Sequence, residues 1–317
     1  DLDDFLDRTE QIIFALAEEK IKPSYFSMSE MARDAMRDIE QLYERKERIT
    51  VVPTGYVDLD NVTSGFQRSD MIVVAARPGM GKTSLCLNIA VNAATRHKVP
   101  VAIFSLEMSR QQLAMRMICS EARVNFQRLR TGALGQDEVN RLVAAVGKLS
   151  EAPIYTDDSG TLSAIELRAK ARRLKKERGI GMLILDYLQL MRGSGTRGNP
   201  DNRVQEISEI SRSLKALAKE LRIPIVAISQ LNRGVENRAD KRPQMADLRE
   251  SGAIEQDSDL ILFIYREEMY SKDKTAQEDR NVAEVIVGKN RNGPMRDIKL
   301  AFLSQYTRFE DLAQDYE

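Results

Sequence analysis

Met71-Ile72-Val73-Val74-Ala75-Ala76-Arg77-Pro78-Gly79-Met80-Gly81-Lys82-Thr83 is an apolar run of strand length that opens into a glycine-punctuated turn ending in Gly-Lys-Thr. Phosphates need several backbone N–H groups aimed into one concavity, so the turn must bend where side chains would collide, and Gly79 and Gly81 permit that. Lys82 then offers a point charge to the β- and γ-phosphates, Thr83 offers a hydroxyl to Mg²⁺, and the helix that starts there, through Ser84, adds its positive end. Arg77 to Ser84 therefore form the expected ATP-binding segment. The usual first glycine of the pattern is Ala76 here. A methyl group fits that position only while the backbone keeps a negative φ.

Outward from this stretch, short apolar runs alternate with helical patterns. Met71–Ala75, Val101–Leu106, Ile154–Thr156, Met182–Leu185, Ile225–Ile228 and Leu260–Tyr265 read as strands, with helices near 82–96, 109–122, 137–150, 163–178 and 203–222. Strands that do not alternate in polarity and are separated by helices predict an α/β fold, with a mostly parallel sheet covered on both faces. Val282–Val287 and Ile298–Leu303, flanking a polar tip with Asn292-Gly293-Pro294, predict an antiparallel hairpin added to one edge.

Residues 1–50 read as a separate helical linker region, and 51–317 as the α/β domain. Two helices flank Lys22-Pro23, because proline breaks the helical ladder. The first carries Leu2, Phe5, Ile12 and Leu16 at helical spacing, a stripe interrupted by Thr9 that needs a surface to cover it, on its own domain or on an adjacent copy of the chain. The second opens on the capping-box pattern Ser27-Met28-Ser29-Glu30.

The 317 residues suffice for one large domain plus an appendage, and 42% hydrophobic with 30% charged residues is ordinary globular composition. Forty-eight Lys and Arg balance 48 Asp and Glu, so any nucleic-acid contact must come from local clustering. Cys86 and Cys119 lie in helical patterns and read as buried reduced thiols. His97 reads as part of a solvated turn. No apolar stretch approaches membrane-spanning length, and the start at Asp1 reads as an excision from a longer chain, so no membrane partner and a cytoplasmic location are expected.

Hydrolysis needs more than a phosphate cradle: a carboxylate for the metal, a base for water and a charge for the transition state. Asp186 closes the apolar run Met182–Leu185 and is expected to hold Mg²⁺ with Thr83; the alternative is a helix cap. Tyr187 follows it, so the base must come from elsewhere. Glu107 stands at the end of the Val101–Leu106 run and can polarise water, or else cap the helix starting near Ser109. Gln230 ends the Ile225–Ile228 run with an amide able to sense the γ-phosphate.

Taken together, Ala76–Thr83, Phe104–Met108, Leu185–Leu190, Ser229–Arg233, Asp247–Asp259 and Lys289–Pro294 form an ordered motif set that resembles the DnaB-type replicative DNA helicases over nearly the whole chain. The resemblance implies a RecA-like P-loop NTPase core in a homo-hexameric ring around single-stranded DNA, moving 5′ to 3′. It implies that Lys289 and Arg291 reach a neighbour's ATP site, though by themselves they read as a solvated basic turn. It also implies that Arg249, Glu250 and Gly252 belong to a DNA-gripping channel loop, where sequence alone offers a surface ion pair. Arg197, in the basic loop after the Asp186 run, suits a second channel loop or a plain connection. A helicase loader and primase are implied partners of the full-length protein, primase through an amino-terminal domain that would precede Asp1. Two alternatives share Lys82, Glu107 and Asp186: a RecA-type recombinase, against which Ser229–Arg233 and Asp247–Asp259 argue, and a non-unwinding ATP-dependent scaffold.

Overall fold

A computed structural model of the chain describes residues 27–45, 52–192, 200–270 and 281–312. The chain divides into two units, Asp1–Arg48 and Ile49–Glu317. In the first, the helix Met28–Arg45 begins as its sequence predicts. Ser27 Oγ accepts from the Glu30 N–H at 3.2 Å, and the Glu30 carboxylate accepts from the Ser27 N–H at 2.9 Å. The stripe Leu2, Phe5, Ile12 and Leu16 lies outside the described residues.

The second unit is built on one nine-stranded sheet. Its strands are β1 (Met71–Ala76), β2 (Val101–Ser105), β3 (Ile154–Asp157), β4 (Met182–Asp186), β5 (Ile225–Gln230), β6 (Leu260–Tyr265), β7 (Val282–Asn290), β8 (Asp297–Leu303) and β9 (Arg308–Asp311). They lie in the order β3-β2-β4-β5-β1-β6-β7-β8-β9, the first six parallel and the last three antiparallel additions. The sheet is therefore α/β and mostly parallel, with the antiparallel edge that the 282–303 pattern predicts. β9 was not expected. Its four residues follow a tight turn, Ser304–Tyr306, and are too short to carry a period.

β1, β2 and β6 are buried along their whole length, so they show no polar alternation. Helices cover both faces. The helix Lys82–His97 lies in one core cluster with Leu85, Ile89 and Val91, and the helix Pro200–Leu221 lies in the other with Ile207, Ile210 and Leu214. Cys86 and Cys119 are buried free thiols, and burial pushes the Cys119 thiol up to about 11. His97 is exposed as expected, but as the last residue of the helix Lys82–His97 rather than in a turn after it.

Between β6 and β7 the register slips at Ile261/Leu262, leaving Gly288 as the extra residue of a bulge. A Cβ there would sit 2.4 Å from Phe263 Cε2, so only glycine lets β7 lie this close. Among the described residues, no helix is long and apolar enough to cross a membrane.

Candidate active site

Parallel strands share one carboxyl-terminal edge, and there the loops after β1, β2, β4 and β5 meet. Ser105 pairs with Asp186 in register, Ala76 pairs with Gln230, and the Leu106 N–H donates to the Asp186 carbonyl at 2.6 Å. Residues far apart in the chain thus line one cleft of about 490 Å³, including Gly79, Lys82, Thr83, Glu107, Tyr187 and Gln230.

The phosphate loop has the expected backbone. Gly79 and Gly81 adopt φ of +81° and +103°, while Ala76 stays within β1 at negative φ, so its methyl group is accommodated. The helix starting at Lys82 is capped at Gly81 without a side-chain bond, which leaves its first N–H groups to an anion. The Arg77 backbone belongs to the loop, but its side chain turns away. It is buried, donates to the Leu231 carbonyl at 2.8 Å and pairs with Glu236 at 2.8 Å.

Thr83 Oγ1 donates to Asp186 Oδ2 at 3.0 Å. Burial, reinforced by the Glu107 charge, raises the Asp186 carboxyl to about 6 against the opposing pull of Thr83 and Lys82. Its second oxygen, Oδ1, is buried without a protein partner among the described residues. An orphan carboxylate oxygen beside a threonine hydroxyl is a hard oxygen donor set, which fits a small divalent cation. Burial also lowers the Lys82 ammonium from its ordinary range, opposed by Asp186 and Glu107. A polyanion entering the cleft would reverse that shift.

Both capping alternatives fail. Ser109 caps the helix Arg110–Ala122, accepting from the Gln112 N–H at 3.3 Å, and this leaves the exposed Glu107 facing the cleft. The short turn Leu188–Leu190 after β4 is capped at Tyr187, not Asp186.

Three further side chains in or next to the cleft were not among the expected site residues. Gln189 donates to Ser229 Oγ at 2.8 Å and accepts from the Gln230 N–H at 3.3 Å, tying the end of β5 to the turn after β4. Arg266 is buried at the end of β6, donates to the Gly79 carbonyl at 3.2 Å and lies 4.3 Å over the Phe302 ring. The rule that strand ends face the site would have found it. Arg116 lines the cleft from mid-helix, with Nε buried and unpartnered among the described residues, and only tertiary packing reveals it.

Lys289 and Arg291 lie elsewhere. Lys289 pairs with Ile261, and the Arg291 N–H bonds to the Asp259 carbonyl, beside Met71 at the opposite edge of the sheet. Both side chains are tied to the backbone carbonyls of Glu255 and Gln256, although Arg291 stays exposed. The segment Met245–Ser251 is a 3₁₀ turn leading into the short helix Gly252–Asp257, with Gly252 exposed. The side chains of Arg249 and Glu250 lie outside the described residues, as does Arg197.

Residues 51–311 match the DnaB-like helicase C-terminal domain family. The chain is 49% identical over its whole length to the replicative DNA helicase DnaB of Geobacillus stearothermophilus and 48% identical to the replicative DNA helicase DnaC of Bacillus subtilis, spanning 69% of each. Its fold is similar to a solved ATPase domain, with a TM-score of 0.84 at 35% identity over 92% of this chain and all of that one. It is also similar to a DnaB-like replicative helicase solved for its interactions with primase, with a TM-score of 0.81 at 34% identity over 95% of this chain and 70% of that one. With the phosphate loop, Asp186 and Glu107 on one sheet edge, these likenesses make the chain a member of the DnaB-like helicase C-terminal domain family, the ATP-hydrolysing part of replicative DNA helicases.

Proposed function

We propose that this chain is the motor of a cytoplasmic ring helicase, and that each ATP site is completed by a neighbouring copy. One observation carries the shared site: within a chain the basic pair and the phosphate loop occupy opposite edges of the sheet. From Met71 to Ala76 the strand alone spans roughly 17 Å at about 3.3 Å per residue, too far for an arginine side chain to bridge. Arg291 and Lys289 therefore act on the site of another subunit, supplied head to tail around a homo-hexamer. An exposed stripe on the helix Gln136–Ser150, Val139, Val143 and Val146, offers apolar area for such assembly.

Within the site, Gly79 to Ser84 cradle the phosphates and Lys82 balances their charge. Thr83 and Asp186 would hold Mg²⁺, which when bound neutralises charge on the phosphate oxygens. Glu107 polarises the attacking water, and Gln230, fastened by Gln189, reports loss of the γ-phosphate to the loop after β5. The turn Met245–Ser251 with Gly252 grips single-stranded DNA phosphates, which gives affinity without base preference and suits 5′ to 3′ translocation. A loader and primase remain partners of the full-length protein. Relatives named as replicative helicases over the whole chain favour unwinding over the recombinase and scaffold alternatives.

The test mixes two inactive proteins. Arg291→Ala keeps an intact phosphate loop, and Lys82→Ala keeps an intact basic pair. In a head-to-tail ring of equal parts, about a quarter of the interfaces then join two intact halves. ATPase activity should return on mixing; no return in proven co-assemblies would place Arg291 in its own site or in none.

A further inference from the structure

The motif Asp247–Asp259 extends well past the channel-loop residues, and its last residue, Asp259, has no role in the scheme above. Its surroundings give it one. Asp259 is 5% exposed at the start of β6, and all of its polar groups are engaged. Its N–H donates to the Met71 carbonyl at 2.9 Å, and its Oδ2 accepts from the Met71 N–H at 2.8 Å, so it clamps the first residue of the phosphate-loop strand. Oδ2 also pairs with Lys215 of the helix Pro200–Leu221. Its carbonyl accepts from the Arg291 N–H at 2.9 Å, and its Oδ1 accepts from Arg291 Nη1 at 3.3 Å.

The basic pair is held on the same side by the helix Gly252–Asp257. Arg291 Nη2 donates to the Gln256 carbonyl at 2.7 Å, and Lys289 Nζ donates to the Glu255 carbonyl at 2.6 Å. The Arg291 side chain is still 49% exposed, so it is aimed rather than buried. The bulge at Gly288 immediately precedes Lys289, and Asn292 anchors the far side of the turn by donating to Asp70 at 2.9 Å.

We infer that Asp259 is the positioning residue of the Lys289–Arg291 pair, fixing the direction in which Arg291 leaves the sheet edge toward a neighbouring copy. This rests on the reading that Arg291 acts in trans. Asp259 touches no reacting atom. Its bonds to both Arg291 backbone and guanidinium, with Met71 as the fixed reference, set the geometry that a transition-state charge requires, and a misplacement of about 1 Å can cost on the order of a hundredfold in rate.

Asp259→Asn keeps an oxygen for the Met71 N–H while removing the charge that orients Arg291. It should lower kcat by about ten- to a hundredfold with KM for ATP nearly unchanged. Because the defect lies in the donated arginine, mixing Asp259→Asn with Lys82→Ala should restore activity, as Arg291→Ala does. The double variant Asp259→Asn/Arg291→Ala should be no slower than Arg291→Ala. Should the loss of a partner for Lys215 unfold the single variant, Asp259→Asn/Lys215→Met enters the same mixtures. If Arg291→Ala is rescued and the Asp259 variants are not, Asp259 serves its own phosphate loop and the inference fails while the trans reading stands. If neither is rescued, the trans reading has itself failed. Wild-type kcat in Asp259→Asn, or failure of both Asp259 variants to fold, would also overturn the assignment.

Discussion

Gly81→Ala is the most demanding single-atom test of the phosphate loop. Gly81 adopts φ +103° and ψ +19°, outside what a side chain adopts freely, and its carbonyl accepts the first helical bond, from the Leu85 N–H at 2.9 Å. A Cβ added there would stand 3.0 Å from Phe309 Cζ, 3.1 Å from Phe309 Cε2 and 3.4 Å from Phe302 Cε2. Those rings form a tilted pair with centroids 4.6 Å apart, and both are buried, so neither can swing into solvent. The backbone term costs about 1–2 kcal/mol and the forced repacking about 1–3 kcal/mol. Melting should therefore fall by at least about 4 °C, since each kcal/mol shifts a domain of this size by about 2–4 °C. ATP affinity should fall at least about tenfold, because the amides that face the phosphates move with the strain. Gly147→Ala is the control. Gly147 sits in the helix Gln136–Ser150 with no atom within 4 Å of its added Cβ, and that change should stabilise by about 0.5–1 kcal/mol. Melting curves and nucleotide titrations on both variants decide the matter. A Gly81→Ala protein that melts and binds like the parent would refute the reasoning.

Glu107→Gln keeps size and hydrogen bonding while removing the base, so ATP should bind with parental affinity while turnover drops about a hundredfold or more; near-parental turnover would return Glu107 to a passive place on the rim. Asp186, with its carboxyl raised to about 6, gives a pH dependence. A proton held below that value competes with the cation, so Mg²⁺ affinity, read as stabilisation during titration, should be about tenfold weaker at pH 5 than at pH 7. The nucleotide-free protein should show the opposite trend from this group. The neutral carboxyl is the form that burial favours, so acidification from pH 7 toward 4 adds stability, which is lost again as pH rises through about 6. An Asp186→Asn protein should lose both dependences.

Local chemistry makes much of this molecule legible from its sequence. The loop at Gly79–Thr83 announces itself because phosphate binding demands glycine, lysine and a hydroxyl at fixed spacing on contiguous residues. The parallel core is readable because burial on both faces strips β1, β2 and β6 of polar residues. Glu107, Asp186 and Gln230 follow from a further rule, that such strands end on one edge. The tertiary structure decided what depends on pairing across distant segments. That Arg291 lies at the edge opposite Lys82 follows from the antiparallel register of β7 on β6, which no local pattern encodes. Arg116 reaches the cleft only because its helix packs beside the sheet edge, Gln189 meets the end of β5 in the hollow next to it, and the Arg77 guanidinium is held away by Glu236 and the Leu231 carbonyl. Sequence determined the chemistry that contiguous residues must supply; packing determined which of the remaining charges face it, because a side chain's direction is set by neighbours that the chain brings close only on folding.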